Sequence, residues 1–135
     1  MPLDLTLLSE SFEKAIQEEG RLMGRFYELL FERYPGAKAL FGRNAPEKQQ
    51  KMLQETLVAA IEHLEDAKWI EETLGSIGAL HVDYGVEEQM YPWVGECLIA
   101  ALSETLGDDW TAAHEAAWAE VYGTLTTYAL AGAKR

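Results

Sequence analysis

Apolar residues recur three or four positions apart along almost the whole chain, the spacing of residues that share one face of an α-helix. No stretch alternates apolar and polar residues over a length that would predict a β-strand. The segments between the apolar stretches are short, and no repeat or low-complexity stretch occurs. The pattern predicts an all-α protein, and residues 1–135 have the length of a single domain.

Capping residues, glycines and prolines indicate where the first helices begin and end. Thr6 or Ser9 can cap a first helix, which Gly20 would end. A second helix should stop before Pro35, because proline disfavours helical geometry in the residue that precedes it, and a short helical turn should follow. Pro46 suits the first turn of a long third helix.

The second half of the chain predicts three more helices. Asp66 can cap the first of them, and Gly85 should end it. The next should run from about Glu87 to Leu106. Thr111 can cap the last helix.

His81 is the residue whose position suggests chemistry. It shares an apolar helix face with Ile70, Leu74 and Ile77 and lies close to the end of that helix. An imidazole in this place could be an axial ligand of a metal cofactor, or a core histidine bonded to a backbone carbonyl. These residues alone leave both interpretations open and favour the core histidine.

Charge and cysteine usage narrow the class of protein. The net charge is −12, with 23 acidic against 11 basic residues, which argues against nucleic acid or an anionic membrane as partner. Such a surface also simply keeps a protein in solution. Cys97 is the only cysteine and is expected in the core. Acidic residues near the N-terminus and the lack of a membrane-length apolar run lead us to expect a cytoplasmic protein.

Three segments, FYELLFERYP (residues 26–35), YPWVGECL (91–98) and AAWAEVYG (116–123), occur in an order typical of one protein family. The separations of Pro35 from Phe41 and of other landmark residues agree with the same family. Over nearly its whole length the chain resembles the globin family, most closely single-domain bacterial globins and the globin part of flavohaemoglobins. The combination of segments and spacings carries the resemblance, because no single motif is specific.

The resemblance implies a globin fold, with about seven helices around a haem pocket, and haem b as cofactor. His81 would be the proximal histidine that binds the iron, which reverses the balance between its two interpretations. Its second ring nitrogen would then bond a carbonyl one turn back. The residues that the resemblance places on the cofactor are Phe41, Leu53, Ile77, His81, Val86, Tyr91 and Val94.

The resemblance also implies a set of residues on the ligand side of the haem, namely Tyr27, Gln49 and Leu53. A phenol O–H or an amide N–H aimed at bound oxygen would stabilise its partial negative charge. Gln49 could instead be solvated at the pocket mouth, and either polar residue could approach ferric iron. No histidine is expected as a second axial ligand, since His63 should lie at a helix end and His114 in solvent.

The chain departs from the flavohaemoglobin pattern in two places. Because the sequence ends at Arg135, we expect no flavin reductase domain, and Ala133 stands near the position of a late glutamate that bonds the proximal histidine. The expected function is reversible binding of oxygen, nitric oxide or carbon monoxide at a pentacoordinate iron. It would serve oxygen transport, or nitric oxide detoxification with an external reductase. The alternatives are a haem-based gas sensor acting through a partner and a haemless helical scaffold.

Overall fold

Six α-helices make up most of what the computed structural model describes, namely residues 4–17, 20–41, 46–83, 86 and 88–133, with the backbone alone for 39–41, 46, 83 and 133. In chain order they are α1 (Leu5–Ala15), α2 (Arg21–Arg33), α3 (Pro46–Glu62), α4 (Ala67–Asp83), α5 (Tyr91–Leu106) and α6 (Ala112–Ala133). Three 3₁₀ helices lie between them: Pro35–Phe41, Glu88–Met90 and Gly107–Asp109. These ranges hold no strand, so the all-α prediction is confirmed, and the predicted number of about seven helices is close.

The start of α1 differs from the prediction. Asp4 is the N-cap, and its Oδ1 accepts a hydrogen bond from the Leu7 backbone N–H at 3.0 Å, so neither Thr6 nor Ser9 is the cap. A carboxylate in this position also interacts favourably with the helix dipole. Gly20 does not end α1, which stops at Ala15; it precedes α2 in a left-handed conformation, φ 76°, which glycine adopts without strain.

The later helix boundaries agree better with those predicted from the sequence. Tyr34 ends α2 directly before Pro35, and Pro46 opens α3. Asp66 caps α4, since its Oδ1 accepts from the Trp69 N–H at 3.1 Å. Thr111 caps α6 through its hydroxyl.

Two helix boundaries predicted in the second half of the chain differ from those in the structure. The helix α4 ends at Asp83, and the predicted end at Gly85 falls outside the described residues, as does Glu87. A separate 3₁₀ turn, Glu88–Met90, precedes α5, so the predicted single helix is divided in two.

Two helix pairs form most of the core: α2 packs on α5, and α4 packs on α6. The helix α1 packs on α3, α5 and α6. Its Phe12 contacts Trp118 of α6, with ring centroids 5.7 Å apart. Trp118 is 2% exposed, and its indole N–H donates to the hydroxyl of the buried Ser11 at 3.0 Å. Within the described ranges, none of the helices combines the length and the apolar character needed to cross a bilayer.

The backbones of α4 and α6 touch directly. A Cβ atom on Gly78 would overlap the carbonyl oxygen of Ala129 and lie 2.6 Å from its carbonyl carbon. One turn earlier on α4, the backbone of Gly75 lies where a Cβ atom on Gly132 would have to be. Only glycine permits so close an approach, so these residues fix the position of α4 against the last helix.

Candidate functional site

The last turn of α4 carries His81 into contact with the first residue of α5. His81 Nδ1 lies 3.1 Å from the hydroxyl oxygen of Tyr91, and the centroids of the two rings are 5.7 Å apart. We expected a backbone carbonyl one turn back as the partner of the second ring nitrogen; the structure instead shows a phenol hydroxyl there. Tyr91 is 8% exposed and His81 is half-buried, so this polar pair is largely shielded from water.

Burial also decides the charge state of the pair. It lowers the pKa of the His81 imidazole, which favours the neutral ring at neutral pH. It raises the pKa of the Tyr91 phenol, which therefore keeps its proton. With Nδ1 engaged by the hydroxyl, Nε2 is the ring nitrogen suited to bind a metal.

A tyrosine side chain of α6 contacts the first turn of α5. The hydroxyl of Tyr122 donates to the backbone carbonyl of Tyr91 at 2.6 Å. The Tyr122 ring occupies the space that a side chain at position 95 would need, because a Cβ atom on Gly95 would lie 2.6 Å from its Cδ2 and Cε2 atoms. Sequence reasoning matched the segment around Tyr122 but gave this side chain no role. A single sequence does not indicate that a glycine on one helix will pack against a tyrosine ring on another.

A second polar pair joins α2 to α3. Tyr27 is 7% exposed, and its side chain is hydrogen-bonded to the side chain of Gln49, which is half-buried. Burial raises the pKa of Tyr27 to about 12, although the bond to Gln49 opposes the rise. The phenol is therefore a neutral hydrogen-bond donor over the whole physiological pH range.

The apolar residues predicted to contact the cofactor differ in burial and in how much of them the structure describes. Leu53, Val86 and Val94 are partly buried and pack against the core. Ile77 is half-buried on α4. The backbone of Phe41 ends the 3₁₀ helix after α2, but its side chain lies outside the described residues.

The other two histidines have local partners. His63 follows α3 directly, as predicted, and its Nδ1 lies 2.8 Å from the carbonyl of Ala59. Its ring also stacks on Trp69, with centroids 4.2 Å apart. The histidine-to-carbonyl bond that we expected at position 81 therefore occurs at position 63. His114 lies 2.8 Å from the Thr111 hydroxyl and is half-buried rather than fully solvated.

Cys97 is 0% exposed, which confirms it as a core residue. Burial raises the pKa of its thiol, and a protonated thiol is a weak nucleophile and a weak metal ligand. The predicted place of the late glutamate, Ala133, is the last residue of α6, and its side chain lies outside the described residues.

The donor set suits a cofactor that brings its own ligands to the metal. In the described part of the chain, no three histidine, cysteine, aspartate or glutamate side chains converge to hold a bare ion. A single neutral imidazole, oriented through its Nδ1 by a hydroxyl, fits the axial position of a porphyrin iron, where four ligands come from the macrocycle. The residues present therefore fit haem.

A family model described as Globin matches residues 24–129. The chain belongs to the globin family. Globins bind haem, so the family and the donor set agree, and the resemblance deduced from the sequence is confirmed.

Three known proteins illustrate the range of similar globins. A flavohemoprotein of Rhizobium meliloti is 33% identical over 106 residues, which make up 77% of this chain and 26% of that protein. An uncharacterized globin-like protein of Aquifex aeolicus is 34% identical over 115 residues, 83% of this chain and 82% of that protein. A carbene transferase engineered on a candidate nitric oxide dioxygenase of Rhodothermus marinus has a similar structure, with a TM-score of 0.83 and 28% identity. That similarity covers 96% of this chain and 90% of the other.

Proposed function

We propose that this globin holds haem b through Nε2 of His81 and binds diatomic gases reversibly at the sixth position of a pentacoordinate iron, with oxygen as the main ligand. The observation that carries the proposal is the contact of 3.1 Å between His81 Nδ1 and the Tyr91 hydroxyl. It leaves the other ring nitrogen for the metal and restrains the orientation of the imidazole.

When bound, the haem iron supplies the electronic structure for reversible gas binding, which protein side chains lack. The chain supplies the surroundings. The hydroxyl oxygen of Tyr91 accepts a hydrogen bond from the Nδ1–H of His81, which favours the tautomer that binds metal through Nε2. Leu53 and Val94 are predicted to exclude water from the ligand side.

Tyr27 and Gln49 are proposed to recognise the gas. Their mutual hydrogen bond satisfies two polar groups that would be costly to bury alone. Because the Tyr27 phenol keeps its proton, its O–H can be shared with a ligand that acquires partial negative charge. Oxygen acquires more such charge than carbon monoxide, so the pair favours oxygen.

A second candidate function is the oxidation of nitric oxide to nitrate by oxygen. The similarity to a flavohemoprotein and to the Rhodothermus protein favours it. The conversion of one nitric oxide molecule and one oxygen molecule into one nitrate ion consumes one electron. An external reductase is proposed as the source of that electron.

The test is haem retention in His81→Ala. This variant should purify without haem, or lose it rapidly to an acceptor globin, because it removes the proposed ligand. His63→Ala is the matched control, since His63 is also half-buried but bonds Ala59 and stacks on Trp69. It should keep its haem. The proposal is wrong if His81→Ala retains haem with an unchanged absorption spectrum.

A further inference from the structure

Tyr34, the residue that ends α2, has both an aromatic ring and a carboxylate of α5 as neighbours. Its ring stacks on the indole of Trp93, with centroids 4.6 Å apart and planes inclined by 7°. Its hydroxyl lies 3.2 Å from each carboxylate oxygen of Glu96. Nη1 of Arg33 contacts the same carboxylate at 3.1 Å. The phenol thus has a π-system against its ring and a proton acceptor at its hydroxyl.

The carboxylate matters because a phenol that loses an electron becomes a very strong acid and loses its proton as well. A base already bonded to the hydroxyl takes that proton in the same step, which makes the oxidation easier. Tyr27, Tyr91 and Tyr122 have an amide, an imidazole and a backbone carbonyl as hydroxyl partners, whereas Glu96 offers Tyr34 an anion. Partial burial, together with the carboxylate, raises the pKa of the Tyr34 phenol, so the proton is in place at neutral pH.

Trp93 gives an electron a path from Tyr34 towards the haem pocket. Two nearly parallel rings in contact overlap through their π-systems, so an electron passes readily between them. Trp93 lies between Tyr91 and Val94 in the sequence, and both of these residues are predicted to contact the haem. Tyr34 is half-buried and Glu96 is exposed, so a small reductant can reach the phenol from solvent.

We propose that Tyr34 is a redox-active tyrosine, which gives one electron through Trp93 and, in the same step, its phenol proton to Glu96. The O–H bond breaks, a neutral phenoxyl radical forms, and the carboxylate becomes a carboxylic acid. The oxidant is hydrogen peroxide acting on the haem: peroxide takes two electrons and two protons and becomes two molecules of water. Tyr34 returns these electrons one at a time, and a one-electron donor of the ascorbate class restores the phenol after each. This use of the site rests on the proposed function, since it needs bound haem, whereas the oxidation chemistry of Tyr34 does not.

The principal measurement is electron paramagnetic resonance of the haem-loaded ferric protein, frozen after mixing with hydrogen peroxide. The wild type should give a tyrosine radical signal, which narrows when the protein is made with ring-deuterated tyrosine. Tyr34→Phe should lose most of this signal and should oxidise ascorbate more slowly. Tyr128→Phe is the control, since Tyr128 is also half-buried but lies on α6, and it should keep the wild-type signal.

Replacement of the proton acceptor separates a redox role from a packing role. A positioned base accelerates proton transfer about 100-fold or more, and water replaces part of this effect at an exposed site, so Glu96→Gln should form the radical about tenfold more slowly. Glu104→Gln is the matched control, because Glu104 pairs with Arg25 between the same two helices at 2.7 Å. It loses an equivalent ion pair and should leave the rate unchanged.

A second measurement needs no haem. Photogenerated tris(bipyridine)ruthenium(III) oxidises tyrosine in the haem-free protein, and flash photolysis follows the phenoxyl absorption. Tyr34→Phe should reduce the phenoxyl yield more than Tyr128→Phe does, and Glu96→Gln should again slow the formation of the radical about tenfold.

The outcomes separate the two proposals. A protein that binds no haem contradicts the proposed function and the use of peroxide, and the photo-oxidation then decides whether Tyr34 is redox-active. If haem is bound and the radical signal survives in Tyr34→Phe, or if Glu96→Gln and Glu104→Gln form the radical equally fast, Tyr34 only packs α2 against α5 and the inference is wrong.

Discussion

Replacement of Gly78 by alanine tests the contact that fixes α4. The new methyl group would lie 2.6 Å from the Ala129 carbonyl carbon, whereas ordinary van der Waals contact begins at 3.4 Å. It would also overlap the Ala129 carbonyl oxygen. Both neighbours are backbone atoms, which cannot rotate aside as a side chain can, so the two helices must separate by roughly an ångström.

The expected cost follows from this geometry. Overpacking in a close-packed interior typically costs about 1–3 kcal/mol. Alanine recovers at most about 1 kcal/mol through its better helix propensity. Since the whole interface must move, we expect a net loss of about 2 kcal/mol in the free energy of unfolding. For a chain of this length that corresponds to a fall of about 8 °C in melting temperature.

The assay is thermal unfolding of the haem-free protein, followed by circular dichroism. Gly123→Ala is the matched control: Gly123 lies exposed within α6, and no described residue outside its own helix comes within 4 Å of the place that a Cβ atom would occupy there. This change should raise stability by about 0.5–1 kcal/mol. If Gly78→Ala melts at or above the wild-type temperature, the backbones of α4 and α6 are not in contact and the reasoning fails.

Two further predictions concern Tyr27. A hydrogen bond to a partly charged acceptor is worth about 1.5–3 kcal/mol, so Tyr27→Phe should release oxygen roughly 10- to 150-fold faster and change carbon monoxide release much less. Stopped-flow release of both gases measures this, with Tyr34→Phe as the control, since the Tyr34 hydroxyl bonds Glu96 instead of Gln49; equal effects on the two gases would contradict the assignment. The second prediction is stability in alkali. The folded-state pKa of Tyr27 is raised to about 12, so the folded protein holds the phenol proton more tightly than the unfolded chain. The stability from this group is complete below about pH 10 and is lost, by up to about 3 kcal/mol, as the pH rises to about 12. Urea unfolding across this range should show a shallower decline for Tyr27→Phe than for the wild type, and parallel curves would count against a buried phenol.

Features that depend on neighbours in the chain were readable from the sequence. Pro35 ends α2 at the predicted place because its ring clashes with helical geometry at Tyr34, a constraint between adjacent residues. Asp66 and Thr111 cap helices for a similarly local reason. The cap of α1 was misplaced because several residues near the N-terminus can accept a helix N–H, and the sequence does not rank them.

Features that depend on the packing of distant helices were not readable. The family resemblance put His81 and Tyr91 on the same side of a cofactor, but only the folded chain shows that Tyr91 replaces the expected carbonyl as partner of Nδ1. The contacts of Tyr122 with Gly95 and of Gly78 with Ala129 join helices through space. Periodicity identifies the buried face of each helix; it does not identify which residue of another helix it meets.

The contact between Gly78 and Ala129 also has a consequence for how the protein is made. The two positions are about 50 residues apart along the chain, and the later one belongs to the last helix. A chain emerging from the ribosome therefore exposes α4, with His81 in its final turn, before the surface that positions it has been synthesised. Stable capture of haem should accordingly follow synthesis of α6, and a nascent chain stalled before α6 should bind haem weakly.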